Sequence, residues 1–229
     1  MIELVNLEKV YGDQVALSIE SLQIRQGELV GLVGNNGAGK TTMLSLILDL
    51  IKPSRGFVKS KSVKVSATDQ WKLYTGSYLN ESFLIPFLTP IEFLEFIGNL
   101  HDKSKPEVHA FLNKNRNFFN PDSATGKYIR ELSSGNKNKL GILAALLSEP
   151  EILILDEPFS NLDPSSQAWL KTKLTELHNL GATILISSHD LRHVTEICTR
   201  IVLLEDGLVA KDIPTNEKTL IELEDYFNV

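Results

Sequence analysis

Cysteine is nearly absent: Cys198 stands alone among 229 residues. That excludes a disulfide framework within the chain and a multi-cysteine zinc site. The expected place for such a residue is a small apolar slot in the core. Basic residues are also short, with 23 Lys and Arg against 29 Asp and Glu and a formal charge of -6. Nucleic acid as the main partner would favour a basic face, so none is expected. No apolar run reaches the roughly 18 residues of a membrane span. The start, Met1-Ile2-Glu3-Leu4, lacks the basic and apolar regions of a secretory signal. The expected location is therefore cytoplasmic, with any work at a membrane done through a partner. There is no internal repeat and no low-complexity tract. The length suits one large domain, or a core with a subdomain, and is enough to bury a substantial core.

What the chain does have is Gly34-Asn35-Asn36-Gly37-Ala38-Gly39-Lys40-Thr41-Thr42. It follows the apolar run Leu29 to Val33 and precedes an amphipathic stretch, Met43 to Ile51. The order is strand, Gly-rich loop, helix, with the spacing of a phosphate-binding loop. Glycines let the backbone turn where a Cβ would block it, so successive N–H groups can face one anion. A helix starting near Lys40 adds its positive N-terminal end. Lys40 supplies a cation for β- and γ-phosphates, and the Thr41 hydroxyl suits Mg²⁺, a cation that prefers oxygen. A plain Gly-rich turn is the alternative, and the flanking strand and helix argue against it.

Alternation at Ile2, Leu4 and Leu7, and again at Leu17, Ile19, Leu22 and Ile24, predicts two antiparallel strands around a Tyr11-Gly12-Asp13 turn. Phe57 to Val65 reads as a third strand and Ser77 to Leu79 as a short one. From Glu81 to about Leu147 the pattern turns helical. Thr89-Pro90-Ile91-Glu92 is a capping box with proline at the first helical position. Phe93, Phe96, Ile97 and Leu100 then fall on one helical face. A second helix is expected over Pro106 to Phe118. The uninterrupted run Ile152 to Leu155 suits a strand buried on both faces of a parallel sheet. A helix follows from Gln167 to Leu180, stopped by Gly181, then a buried strand, Ala182 to Ser187. Asp190 to Cys198 reads as helix, Ile201 to Ala210 as a hairpin around Asp206-Gly207, and Leu220 to Phe227 as a terminal helix. His101, His109, His178 and His193 read as surface residues.

Asp156 and Glu157 close the apolar strand, where open α/β sheets bind their ligands. Asp156 is placed to hold Mg²⁺ and Glu157 to polarise an attacking water. Phosphoryl transfer needs mainly positioning and charge neutralisation, so a modest base suffices. An acidic loop without function is the alternative.

With these pieces in order, the chain resembles the nucleotide-binding subunits of ATP-binding cassette transporters over nearly its whole length. Leu132-Ser133-Ser134-Gly135-Asn136 is similar to the family's L-S-G-G-Q signature, with Ser134 and Asn136 as departures. The resemblance implies a P-loop NTPase (RecA-like) α/β fold. Its mainly parallel core, 1–81 and 148–229, would carry an N-terminal antiparallel β layer. A helical subdomain, 82–147, would be inserted within a single domain of 1–229. It also implies site residues. Tyr11 would stack on adenine. Glu81 would take the place of the metal-contacting glutamine. Asp163, in Ser160-Asn161-Leu162-Asp163, would cross to the opposite subunit. His189 would sit near the γ-phosphate and Glu157.

ATP and Mg²⁺ are the implied cofactors. A second cassette, homo- or heterodimeric, and an integral-membrane permease are the implied partners. Each ATP would lie between Lys40 of one copy and Ser133 of the other. Hydrolysis would then let the halves part and drive transport at the inner face of the membrane. The short chain and Glu81 look more like exporter-type cassettes. Ser82 to Leu88, rich in apolar residues, is a candidate groove for a permease helix. Two other classes are alternatives. One is a soluble cassette acting on ribosomes or DNA, against which stand the single P-loop and the acidic balance. The other is a non-hydrolytic regulator, against which stand Glu157 and His189.

Overall fold

The computed structural model describes residues 1–227, apart from the side chain of Ser123. Alternating apolar residues at the start form a hairpin, β1 (Ile2–Tyr11) with β2 (Gln14–Ile24). Ile2, Leu4 and Leu7 on one strand and Leu17, Ile19, Leu22 and Ile24 on the other are buried. Their period of two slips by one residue on each strand, between Leu4 and Leu7, where Asn6 takes φ 46°, and opposite it between Ile19 and Leu22. The turn is tighter than expected. Tyr11 belongs to β1 and pairs with Gln14, so only Gly12 and Asp13 reverse the chain.

After β3 (Leu29–Val33) and α1 (Lys40–Ile47), the chain returns to β1 as β4 (Arg55–Ser60) and β5 (Val63–Lys64). Here the single strand expected from Phe57 to Val65 is corrected. Lys61 and Ser62 both take positive φ, 47° and 69°, and make a two-residue hairpin turn. Val58, not Phe57, is the inward residue. Phe57 lies beneath the ammonium groups of Lys59 and Lys64, at 5.7 and 4.1 Å.

The second sheet takes β3, β6 (Thr75–Tyr78), β7 (Ile152–Leu155), β8 (Thr183–Ser188), β9 (Arg200–Glu205) and β10 (Leu208–Pro214) in the order β10-β9-β3-β8-β7-β6. All neighbours are parallel except the β9–β10 hairpin. Every residue of β3, β7 and β8 is buried, which is why these strands read as continuous apolar runs. α1 lies between the two sheets. Its Met43 and Leu44 share one core with Val30 and Leu32 of β3 and with Leu4 and Ile24 of the antiparallel layer. The α/β architecture expected from the sequence is therefore the one observed.

Three helices fill the stretch between β6 and β7: α2 (Pro90–Leu100), α3 (Lys105–Lys114) and α4 (Ser134–Leu147). The capping box closes as expected, with Thr89 N–H donating to the Glu92 carboxylate at 2.8 Å. The expected face of α2 is buried only in part, at Phe93 and Ile97. Phe93, Leu94 and Gly98 turn inward, while Phe96 and Leu100 are 46% and 57% exposed. The cause is Gly98: a Cβ there would stand 2.5 Å from Val108 of α3, so the helices approach along the glycine side. α3 stops early because the Asn115 amide donates to the Phe111 carbonyl at 2.8 Å. Phe118 and Phe119 are buried beyond its end. α4 sits directly on the parallel sheet, since a Cβ at Gly141 would run into the Tyr78 ring.

The chain ends with α5 (Pro164–Asn179), α6 (Leu191–Ile197) and α7 (Thr219–Phe227). α5 begins earlier than expected because Asp163 caps it, and Trp169 on α5 stacks on Phe118 at 4.1 Å. Two histidines read as surface residues are packed instead. His193 lies against the Phe159 ring at 4.6 Å, and His178 has a buried Nδ1. Cys198 is buried, as expected, and burial pushes its thiol pKa well above the ordinary range. A thiol-specific chromophoric reagent should therefore leave the native protein unmodified and titrate one thiol after unfolding in guanidinium. Rapid reaction of the native protein would contradict the packing described.

Candidate active site

The carboxyl ends of β3, β7 and β8 converge on one cleft. At the end of β3 the chain must pass close to β9: a Cβ at Gly34, where φ is +154°, would run into the Leu204 carbonyl oxygen. Glycine is the residue without that obstacle. The loop then wraps to the N-terminus of α1, with Gly39 as its cap. Gly37, Asn36, Gly39, Lys40, Thr41 and Thr42 line a cleft of about 370 Å³. Gly34, Asn35 and Ala38 complete the turn, with Ala38 N–H donating to the Asn35 carbonyl at 3.1 Å.

The Lys40 ammonium is buried. It donates to the carbonyls of Gly34 at 2.6 Å and Asn35 at 3.2 Å, and lies 4.0 Å from Glu157 Oε1. Thr41 Oγ1 donates to Asp156 Oδ2 at 2.6 Å. The other oxygen of that carboxylate accepts from Ser187 Oγ. Ser187 also accepts from the Glu157 N–H, at 2.9 Å. The backbone turns sharply there, with Glu157 at φ +48°, and its carboxylate meets His189 Nδ1 at 2.8 Å. One loop and two strand ends thus hold a cation, a hydroxyl–carboxylate pair and a carboxylate–imidazole pair together.

Two adjacent hard oxygen donors, Thr41 Oγ1 and Asp156 Oδ2, fit Mg²⁺, which usually takes few protein ligands and completes its shell with phosphate and water. Ser187 was missed by sequence reasoning. A serine two residues before His189 at a strand end was the available signal. Gln14, Val15, Ala16, Asp206 and Gly207 also line the cleft and belong to no local motif.

Other expected site residues lie elsewhere. Tyr11 is 52% exposed on the β1–β2 hairpin that borders the cleft, with the Lys9 ammonium 4.8 Å from its ring centre. Ser133 caps α4, accepting from Asn136 N–H at 3.3 Å. Ser134, Gly135 and Asn136 form the first turn, and none of the four lines the cleft. Glu81 is not brought to the Thr41–Asp156 pair. Asn80 caps a turn at 81–83, accepting from Ser82 N–H at 2.9 Å, and the Glu81 carboxylate meets Lys137 of α4 at 2.9 Å. Asp163 caps α5 through Ser166 N–H at 2.9 Å and pairs with Lys139 at 2.8 Å. The Lys139 ammonium, with the hydroxyls of Ser165 and Ser166, holds its carboxyl well below the usual range.

The family model described as ABC transporter matches residues 17–160. An uncharacterized ABC transporter ATP-binding protein, YhaQ of Bacillus subtilis, is 35% identical over 207 residues, covering 90% of this chain and 69% of its own. The Nod factor export ATP-binding protein I of Cupriavidus metallidurans is 29% identical, over 90% and 69%. Among solved structures, the dimeric bacterial ABC transporter cassette MJ0796 superposes with a TM-score of 0.84 at 27% identity, covering 94% of this chain and 99% of that one. A dimeric post-hydrolysis state of the same cassette, bound to ADP and Pi, gives 0.83 at 26%, with the same coverage.

Removing the Ser187 hydroxyl would strand the Glu157 N–H. Ser187→Ala should therefore lower unfolding stability by about 1–3 kcal/mol, the cost of an unmet buried donor. Urea titration followed by circular dichroism measures it, and an unchanged midpoint would contradict the bridging role.

Proposed function

The chain belongs to the ABC transporter family and is an ATP-binding, ATP-hydrolysing cassette; on that premise we propose that it powers a membrane transporter as one half of a head-to-tail pair. One observation carries the reading. The cleft is lined by the phosphate loop, Asp156 and Glu157, with His189 joined to it through Glu157, yet none of Ser133, Ser134, Gly135 and Asn136 lines it or touches a residue of the Thr41–Asp156 pair. A second copy would supply those residues.

In this reading the triphosphate lies in the loop Gly34 to Thr42, against its N–H groups and the N-terminus of α1. Lys40 exchanges its contacts with the Gly34 and Asn35 carbonyls for phosphate oxygens. Thr41 and Asp156 would hold Mg²⁺, whose chemistry when bound is to neutralise charge on the phosphates. Glu157 orients and deprotonates the attacking water, and His189 fixes the carboxylate from the end of β8. Such a base contributes about 10²–10⁴ in rate. Tyr11 stacks on adenine from the hairpin at the rim. The partner's signature closes over the γ-phosphate with Ser133, Ser134, the Gly135 backbone and Asn136, the N-terminus of its α4 pointing at the charge. Asp163, at the cap of α5, faces the partner. Glu81, held by Lys137, is left out of the metal shell. Core residues 1–81 and 148–229 carry the cradle, and 82–147 carries the signature.

ATP at the seam favours the closed pair because it touches both copies, and its hydrolysis removes that difference. Glu157→Gln with MgATP should elute from size exclusion as a dimer, and as a monomer without nucleotide. A monomer under both conditions would contradict the pairing.

Among the described residues no helix is long and apolar enough to cross a membrane, so the reading needs a membrane-embedded partner. Of the residues considered for docking, Phe83 packs edge-on to Tyr78 at 6.4 Å and partly fills the core. Phe87 is 68% exposed, and the Arg130 guanidinium lies 5.7 Å from its ring centre and 5.0 Å from that of Tyr128. An exposed aromatic–arginine cluster has the composition of an interface anchor. Phe87→Asp should weaken association with the membrane subunit by about tenfold or more while ATP turnover of the free subunit is kept. Co-purification with the membrane subunit reads the first effect and phosphate release the second. Equal recovery of the complex would remove Phe87 from the interface.

A further inference from the structure

The loop from Pro158 to Leu162, which leads away from Glu157, has little backbone pairing of its own. Its internal bonds are Ser160 N–H to the Glu157 carbonyl at 3.1 Å and Leu162 N–H to the Phe159 carbonyl at 3.4 Å. Two side-chain amides from neighbouring helices hold the rest. The buried Asn138 of α4 spends both amide hydrogens on the loop, donating to the Pro158 carbonyl at 3.1 Å and the Ser160 carbonyl at 2.6 Å. Gln167 of α5 donates to the Phe159 and Leu162 carbonyls at 3.3 and 3.2 Å. The Asn161 carbonyl packs against Gly135, where a Cβ would stand 2.6 Å from it. At the far end, Lys139 is tied to Asp163 at 2.8 Å. Glu157 and Asn161 both take positive φ, 48° and 60°, so the loop is strained and needs outside support.

We propose that Asn138 is a positioning residue for ATP hydrolysis. It locks the loop carrying Glu157 to the first turn of α4, so the two move as one body. The inference rests on the head-to-tail reading, in which that first turn lies on the nucleotide of the opposite cradle. Seating of the signature on the partner's ATP then sets the position of Glu157 over the chain's own ATP. Asn138 touches no reacting atom; its effect passes through the Pro158 and Ser160 carbonyls. Asparagine suits the task because one short planar amide offers two donors at fixed spacing.

The test is steady-state ATP hydrolysis by Asn138→Leu, Asn138→Gln and Lys139→Met, alongside the unsubstituted chain. Asn138→Leu keeps the volume and loses both donors. Its kcat should fall by about tenfold or more, as a displaced catalytic group requires. KM for ATP should stay within about twofold, since the cradle is untouched. The Hill coefficient should fall toward unity. Asn138→Gln, which restores two donors, should recover part of kcat. Lys139→Met breaks the outer tie to Asp163 and a contact with the Phe118 ring at 5.9 Å, leaves the Asn138 amide contacts in place, and should lower kcat and the Hill coefficient to a lesser degree. Should Asn138→Leu fail to fold, Lys139→Met carries the test. Unchanged kcat and cooperativity in whichever of these variants folds would overturn the proposal. So would a loss of kcat with cooperativity intact, which marks a merely structural role. If the unsubstituted chain hydrolyses ATP without cooperativity and its Glu157→Gln form stays monomeric, it is the head-to-tail reading that fails.

Discussion

The Asp156 carboxylate is the point on which the site depends. One of its oxygens accepts a hydrogen bond from Thr41, at the start of the helix behind the phosphate loop, and the other accepts one from Ser187, at the end of β8. Three separate pieces of chain are thereby fixed to each other: the loop after β3, the end of β7 and the end of β8. Ser187 extends the link by accepting from the N–H of Glu157, and Glu157 in turn meets His189. A carboxylate buried this way must be satisfied on both oxygens, because a buried polar atom without a partner is costly. The two hydroxyls meet that need. They also keep a pair of hard oxygens at the cleft wall, where a divalent cation and phosphates can share them.

Much of this was legible in the sequence because it is local. The phosphate loop is a contiguous string whose glycines, lysine and threonine are each required by nearby geometry. Ile152 to Leu155 and Thr183 to Ser188 are fully buried on both faces, so their apolar runs marked the parallel sheet without knowledge of neighbours. Thr89 and Glu92 closed their capping box from three positions apart. Failures came where a distant residue decides. The inward face of α2 turns on Gly98 meeting Val108, which no helical period contains. The strand from Phe57 divides because Lys61 and Ser62 adopt left-handed backbone, an unusual choice for either residue. The Glu81–Lys137 pair joins residues that no motif connects, and it turns the carboxylate toward α4. Ser187, Asp206 and Gly207 reach the cleft only through sheet order.

The same contrast bears on function. A family resemblance assigned each residue a role at a nucleotide, yet the single chain divides those residues between two places. Lys40, Thr41, Asp156 and Glu157 line the cleft, with His189 bonded to Glu157, while Ser133, Ser134, Gly135 and Asn136, at the start of α4, do not line it. The second group is nevertheless tied to the first from behind, through Asn138 and the loop that follows Glu157. A chain built this way offers a cradle at one place and a lid at another, with a stiff connection between them. In the proposed pair, two copies in opposite orientation would satisfy both ends at once, with ATP as part of the interface.

Cross-linking between chains tests that arrangement most directly. Cys198 is replaced by serine, Glu157 by glutamine, and single cysteines are placed at Asn36 in one preparation and Ser134 in another. Mixed with MgATP under mild oxidation, the two should form a disulfide-linked species of twice the chain mass. Neither preparation alone should form it, nor should the mixture without nucleotide. A mixture that stays at the mass of one chain with MgATP present would show that the signature does not cover the opposite cradle.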